Sequence, residues 1–239
     1  MSKYVLSDLH GCYKHFLAML KKINFKETDT LYILGDIFDR GDDPLKIIEY
    51  VICHKNIIWI KGNHEEFFID YYENHNTQLW DYNGGFKTRQ KLLFKTDKYK
   101  DDLYNIVKNL PTIQVVDDKF ILVHAGLFYP EEYKDISLKE LLDMQNSEYN
   151  LWSRDNIGYE PQLDKYTVIC GHTPVFTIEN NRNTILNSNG TLYIDCGAVF
   201  NNHGGQLACL RLDDMTEFYV NYKESKSIRN EREFLNGIY

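Results

Sequence analysis

Five short polar clusters punctuate this 239-residue chain, each placed directly after an apolar run. They are Asp8-Leu9-His10-Gly11, Gly35-Asp36-Ile37-Phe38-Asp39-Arg40-Gly41, Gly62-Asn63-His64-Glu65, His124-Ala125-Gly126 and Gly171-His172-Thr173. Carboxylates such as Asp36 and Asp39, at the end of an apolar strand, need a cation beside them. Arg40 can serve one, and a bound metal the other. Asp8, His10, Asp36, Asn63, His124 and His172 together offer imidazole nitrogens, carboxylates and an amide oxygen. That mixture suits manganese, iron, zinc or cobalt better than calcium or a thiolate zinc site. The set is larger than one metal needs while keeping open positions. It fits two metals that share a carboxylate, the arrangement that clamps the attacking and leaving oxygens of a displacement at phosphorus. Asn63 and His64 are neighbours, so one side chain can face a metal and the other a leaving group.

Strands and helices must deliver these clusters to one place. Residues 4–6, 30–34 and 56–60 read as buried strands, and 13–23 and the stretch opened by Pro44 as amphipathic helices. Asp8 and His10, two apart, are expected on one face of extended backbone. Three βα units, each with its polar residues at the carboxyl end of a strand, are the layout of an α/β active site. Residues 73–102 read as a helical insertion covering one side of the site, and 103–110 as a short helix stopped by Pro111. A hairpin is expected around Asp117-Asp118, and a helix over 137–144 with a Ser137/Glu140 capping box. Residues 166–170 form another strand. Short strands at 184–186, 192–195, 206–212 and 217–222 suggest a second, more antiparallel sheet. The expectation is one catalytic domain over 1–222 and a loosely held charged tail over 223–239.

The apolar fraction of 43% supports a sizeable core without staples. A net charge of −8 argues against a nucleic-acid binder, although a metal could still supply local positive charge for a phosphorylated substrate. The five cysteines form no CxxC pair, which points to reduced thiols and a cytoplasmic protein. Neither a signal peptide nor a membrane span is expected, and the chain is read as a monomer. His15, His54 and His75 lie outside the clusters and read as structural or solvated.

Taken in order, DLHG, GDxxDRG, GNHE, HAG and GHT resemble the phosphoprotein phosphatase branch of the calcineurin-like metallophosphoesterases, of bacterial and phage type. Phe38 stands where that family commonly has valine. The resemblance implies an α/β fold: a two-sheet β-sandwich flanked by helices, with a βαβαβ metal-binding core. It implies two divalent ions, manganese first, with iron, zinc, cobalt or nickel as alternatives. Asp8 and His10 match ligands of the first metal, Asp36 the bridge, and Asn63, His124 and His172 the ligands of the second. His64 matches the general acid, kept cationic by Asp39, while Arg40 and Arg154 match the arginines that hold phosphoryl oxygens. A metal-bridging hydroxide would attack phosphorus in line, without a phosphoenzyme. Residues 195–200 resemble the family's late hairpin. Its loop lies near the site mouth, so His203 is expected to touch substrate.

The implied activity is hydrolysis of phosphoserine and phosphothreonine in proteins or peptides, with phosphotyrosine also accepted. Symmetrical diadenosine tetraphosphate hydrolysis uses a closely similar motif set and is the alternative. The Asn83-Gly84-Gly85 stretch favours the phosphatase. A catalytically silent phosphopeptide-binding module would show loss of a ligand or of the general acid, and none is lost here.

Overall fold

The computed structural model describes residues 1–129, 136–155, 157–158 and 165–228. Alternation along its short strands divides the core in two. In β1 (Lys3–Leu6), Tyr4 and Leu6 face a helical layer while Val5 faces a second sheet. After α1 (Tyr13–Lys22), β2 (Thr30–Leu34) repeats the pattern, with Leu31 and Ile33 to the helices and Tyr32 and Leu34 between the sheets. The helix α2 (Pro44–Cys53) starts at Pro44, where the missing N–H costs nothing, and β3 (Ile57–Ile60) follows. The strands β1, β2 and β3 are parallel, so their polar ends emerge on one edge.

The helix α3 (Asn63–Asn74) begins directly at the third cluster. The insertion then folds as α4 (Gln78–Tyr82), α5 (Phe86–Leu92) and the start of α6 (Asp97–Lys108). The sequence places the onset of α6 several residues too late. Its first turns are polar, and only Leu103 and Val107 are buried, so the apolar period is short. The signal was Thr96, whose hydroxyl accepts the Tyr99 N–H and caps the helix.

The hairpin of β4 (Ile113–Val116) and β5 (Phe120–Val123) forms as expected. It is followed by α7 (Leu138–Asp143), with its Ser137/Glu140 capping box, and by α8 (Ser147–Trp152). Then come β6 (Thr167–Cys170), α9 (Val175–Ile178), β7 (Leu186–Ser188) and β8 (Thr191–Tyr193). A 3-10 turn (Asn201–His203) leads to β9 (Gln206–Arg211), β10 (Thr216–Asn221) and α10 (Tyr222–Ser225).

Among the described residues the strands form two five-stranded sheets, β10-β9-β1-β2-β3 and β4-β5-β6-β8-β7. This is the calcineurin-like metallophosphoesterase sandwich, flanked by helices. It corrects one expectation: β9 and β10 do not join a second antiparallel sheet but extend the first, beside β1. The reason is that β9 is apolar on both faces, Leu207 and Cys209 to the helices and Ala208 and Leu210 between the sheets, which suits an interior strand. The second sheet is itself mixed, with β5, β6 and β8 parallel. The start of the charged tail is also anchored. In α10 Ser225 is buried, Glu224 pairs with Lys22 at 2.9 Å, and Ile228 sits in the helical core. The rest of that tail lies outside the described residues. All five cysteines are free, and among the described residues no helix is long and apolar enough to cross a membrane.

Candidate active site

Asp8, His10, Asp36, Asp39, Arg40 and His172 all have positive φ, between +40° and +72°. Left-handed backbone at such residues costs roughly 1–3 kcal/mol each and persists where surrounding structure dictates it. Here it replaces the expected extended geometry: Asp8 and His10 converge because the chain turns, not because it is straight. Backbone bonds fix the turns. His10 N–H donates to Asp36 O at 2.8 Å, Gly11 N–H to Ile37 O at 2.9 Å and Gly41 N–H to His10 O at 2.9 Å. The loops after β1 and β2 are thus laced together. The loop after β6 joins them where His172 N–H donates to Asp8 Oδ2 at 3.0 Å.

Asp36 lies at the centre. Its Oδ2 is 3.5 Å from His10 Nε2 and its Oδ1 is 3.4 Å from His124 Nε2. Asn63 Oδ1 lies 2.9 Å from His124 Nε2 and 3.0 Å from His172 Nδ1. Asp8 Oδ1 is 4.0 Å from His10 Nε2. Two compact groups emerge: His10 with Asp36 and His64, and Asp36 with His124 and His172. Asp36 belongs to both.

The ring orientations are set from behind. The Nδ1–H of His10 donates to Phe38 O at 3.0 Å, and that of His124 to Leu34 O at 2.6 Å. Each tautomer leaves Nε2 with a lone pair aimed into the site, the way metal-ligating imidazoles are held. All of these side chains are buried, and Asp8 Oδ1 has no hydrogen-bond partner among the described residues. A buried carboxylate oxygen left this way fits a cation, and the N/O donor set is that of a borderline divalent ion. Burial pushes Asp8 up to about 6 and Asp36 to about 7, so a closely held cation is what would keep both ionised.

His64 faces the same centre from the other side. Its Nδ1–H donates to Asp39 Oδ2 at 2.6 Å, and Arg40 Nη2 donates to its Nε2 at 3.1 Å. Arg40 Nη1 also donates to His10 Nε2, at 2.6 Å. Burial, with the Arg40 guanidinium adding to it, holds His64 well below the usual imidazole range. Asp39 fixes the tautomer, with Nδ1–H toward the carboxylate and Nε2 toward the site. Arg154 is exposed, and its charge is felt at both His124 and His172. His203 is exposed and stacks on Phe176, with ring centroids 5.5 Å apart.

Residues 1–197 match the family described as calcineurin-like phosphoesterase. The chain belongs to that family. Serine/threonine-protein phosphatase 2 of Salmonella typhimurium is 29% identical over 208 residues, covering 82% of this chain and 87% of its own length. A symmetrical bis(5'-nucleosyl)-tetraphosphatase of Erwinia tasmaniensis is 33% identical over 132 residues, but this covers 53% of the chain and 45% of that protein. Among solved structures, a protein serine/threonine phosphatase from Saccharomyces cerevisiae aligns over 92% of this chain and 79% of its own. Its TM-score is 0.64 at 15% identity. The bacterial relative, aligned along most of both chains, supports a place in the phosphoprotein phosphatase branch.

This phosphoesterase uses residues that the sequence reading passed over. Glu65 is fully buried; its Oε2 accepts the N–H groups of Asp36 (2.8 Å) and Gly62 (2.7 Å), and its Oε1 that of Ile37 (3.0 Å). It therefore ties the loop after β2 to the start of α3. The signal was its place at the third position of a helix, where a carboxylate reaches back to orphan N–H groups.

The insertion does more than cover. Trp80 Nε1–H donates to Asp39 Oδ2 at 2.7 Å, and Thr88 Oγ1 donates to Asp39 Oδ1 at 2.6 Å. Arg40 N–H donates to Gly84 O at 3.0 Å. Gly84 has φ +99°, and a Cβ there would stand 2.7 Å from Arg40 Cγ. The Asn83-Gly84-Gly85 stretch is thus the seat of Arg40. No periodicity announces this, because a turn held by single contacts has none.

Proposed function

We propose that this phosphoesterase is a metal-dependent protein phosphatase acting on phosphoserine and phosphothreonine, with phosphotyrosine also accepted. The observation that carries the reading is coverage. The chain aligns with a bacterial serine/threonine phosphatase along 87% of that protein, but with the tetraphosphatase of Erwinia tasmaniensis along only 45%. The tetraphosphatase reading keeps one argument, the higher identity of 33% within the shared part.

Asp8, His10 and Asp36 would hold one divalent ion, and Asp36, Asn63, His124 and His172 the other, manganese being the first choice. Bound there, the ions would supply Lewis acidity toward the phosphoryl group and make water a nucleophile near neutral pH. The protein's own groups supply the rest. Arg40, hydrogen-bonded to His64, would bring a phosphoryl group it takes up against that ring. Arg154 adds a second guanidinium for the remaining oxygens. A phosphate dianion beside His64 favours the protonated ring, so Nε2 can carry the proton that the leaving oxygen needs. A serine or threonine alkoxide is a poor leaving group and needs that proton. Asp39 keeps the ring in the tautomer that faces it.

The test compares catalytic efficiency of the manganese-loaded protein on a phosphothreonine peptide and on diadenosine tetraphosphate, with His64→Asn as control. The peptide is expected to win by roughly tenfold or more, about 1.4 kcal/mol. The reverse preference would move the substrate to the dinucleotide and leave the site standing.

A further inference from the structure

Beyond Arg40 the site mouth continues as a run of rings. The Arg40 guanidinium carbon lies 5.7 Å from the Phe200 ring centroid, a cation–π distance. Phe200 meets Phe176 edge-on at 5.6 Å and 83°. Phe176 and His203 stack at 5.5 Å and 12°. Phe176 and Phe200 are half-buried, while His203 is exposed.

The run is built into the backbone. Phe176 stands four residues after His172, just past Pro174, which fixes the entry to α9. Gly197, at φ +75°, is what lets the two phenylalanines close up: a Cβ there would stand 2.7 Å from Phe176 Cε1 and 3.6 Å from Phe200 Cδ2. Phe200 N–H donates to Gly197 O at 2.8 Å and His203 N–H to Phe200 O at 2.9 Å. From outside, Asn183 Nδ2 donates to Gly204 O at 3.3 Å, and Gln206 Nε2 donates to Asn183 O at 2.7 Å. The exposed imidazole is therefore held flat by its neighbours.

We infer that Phe200, Phe176 and His203 form a stacking subsite for an aromatic side chain of the substrate peptide, one or two residues from the phosphorylated one. Charge selects this occupant. Residues 171–181 and 195–206 contain no lysine or arginine, and Arg182, just beyond them, is paired with Glu179 at 3.1 Å. Past Arg40, the further phosphates of a dinucleoside polyphosphate would cross this stretch without a free cation. A neutral side chain crosses it without cost. Reach agrees: two residues of extended chain span about 7 Å, and an aromatic side chain adds to that. The inference rests on the protein-phosphatase reading and names a substrate feature that the reading leaves open.

The test uses the manganese-loaded full chain and phosphothreonine hexapeptides that differ only in tryptophan or alanine, one or two residues from the phosphothreonine on either side. The wild-type protein is expected to favour tryptophan at one of these positions by about 2- to 10-fold in kcat/KM, mostly through KM, the scale of one aromatic pair. His203→Ala should bring that ratio close to one, and His203→Phe should keep it. Because His203 is exposed, its replacement leaves the core intact; Phe176→Ala is the second variant, expected to lose the ratio as well. A wild-type ratio near one, or a preference that survives both alanine variants, overturns the inference. So does an effect of these variants confined to diadenosine tetraphosphate, which would seat a nucleobase there. Failure of the phosphatase reading itself would show differently, as no hydrolysis of any peptide while the dinucleotide is cleaved.

Discussion

Trp80 donates its indole N–H to Oδ2 of Asp39 at 2.7 Å, the same oxygen that takes the Nδ1–H of His64. The insertion thus holds the carboxylate that holds the imidazole. Burial pushes Asp39 up to about 7, against the pull of Thr88 and Trp80, so the donors from the insertion favour its ionised form. Trp80→Phe keeps the ring and removes the N–H. A hydrogen bond to a charged group is worth roughly 1.5–3 kcal/mol, so kcat on a phosphothreonine peptide should fall about tenfold or more. The fall should be smaller on p-nitrophenyl phosphate, whose leaving group needs no proton. Equal losses on the two substrates would mean that Trp80 supports the fold rather than proton transfer.

His64 sits within the same compact group as His10 and Asp36, so geometry alone permits it to be a metal ligand. Its Nδ1 bond to Asp39 and its contact with Arg40 favour the general acid. His64→Asn separates the two. As a general acid, its loss should lower kcat on peptide by roughly 10²–10⁴ while manganese content stays unchanged. Metal analysis after desalting decides it: a stoichiometry that drops with the activity would make His64 a ligand.

The position of Asp36 between the groups makes a matching statement about metal content. Asp36→Asn removes a charge facing both His10 and His124, whereas His172→Ala touches only the group of Asp36, His124 and His172. Elemental analysis should show Asp36→Asn retaining almost no manganese and His172→Ala retaining about half the wild-type content. Two variants that lose metal in equal measure would argue that the ions bind as one cooperative unit.

What the sequence made legible follows a physical division. The buried β1, β2 and β3 could be read because each is an apolar run ending in a polar cluster, and the chemistry of Asp8, Asp36 and Asn63 stands in those ends. Three things could not be read. Asp8 and His10 converge through left-handed backbone, which has no period. Strands β9 and β10 look alike whichever sheet they join, and only pairing with β1 decides. Trp80 and Thr88 act through one or two hydrogen bonds each, across 41 and 49 residues, and such contacts leave no local trace.

His15 carries a pH dependence that is separate from the site. It lies on α1, buried, its ring 6.4 Å from that of Tyr222 on α10, and its Nε2 has no hydrogen-bond partner among the described residues. Burial lowers it from its ordinary 6.5 to about 4. The unfolded chain therefore takes up a proton below about 6.5 that the folded chain refuses until about 4. Stability from this group is intact above 6.5 and is lost as pH falls through that window, by up to roughly 3 kcal/mol. Urea unfolding at pH 7.5 and 4.5, with chelator present so that ligand titration is common to both proteins, should show a smaller pH-dependent loss for His15→Gln than for wild type. The two proteins losing stability in parallel would mean that His15 is protonated in the folded chain, and that the contact between α1 and α10 opens to water well before the sandwich does.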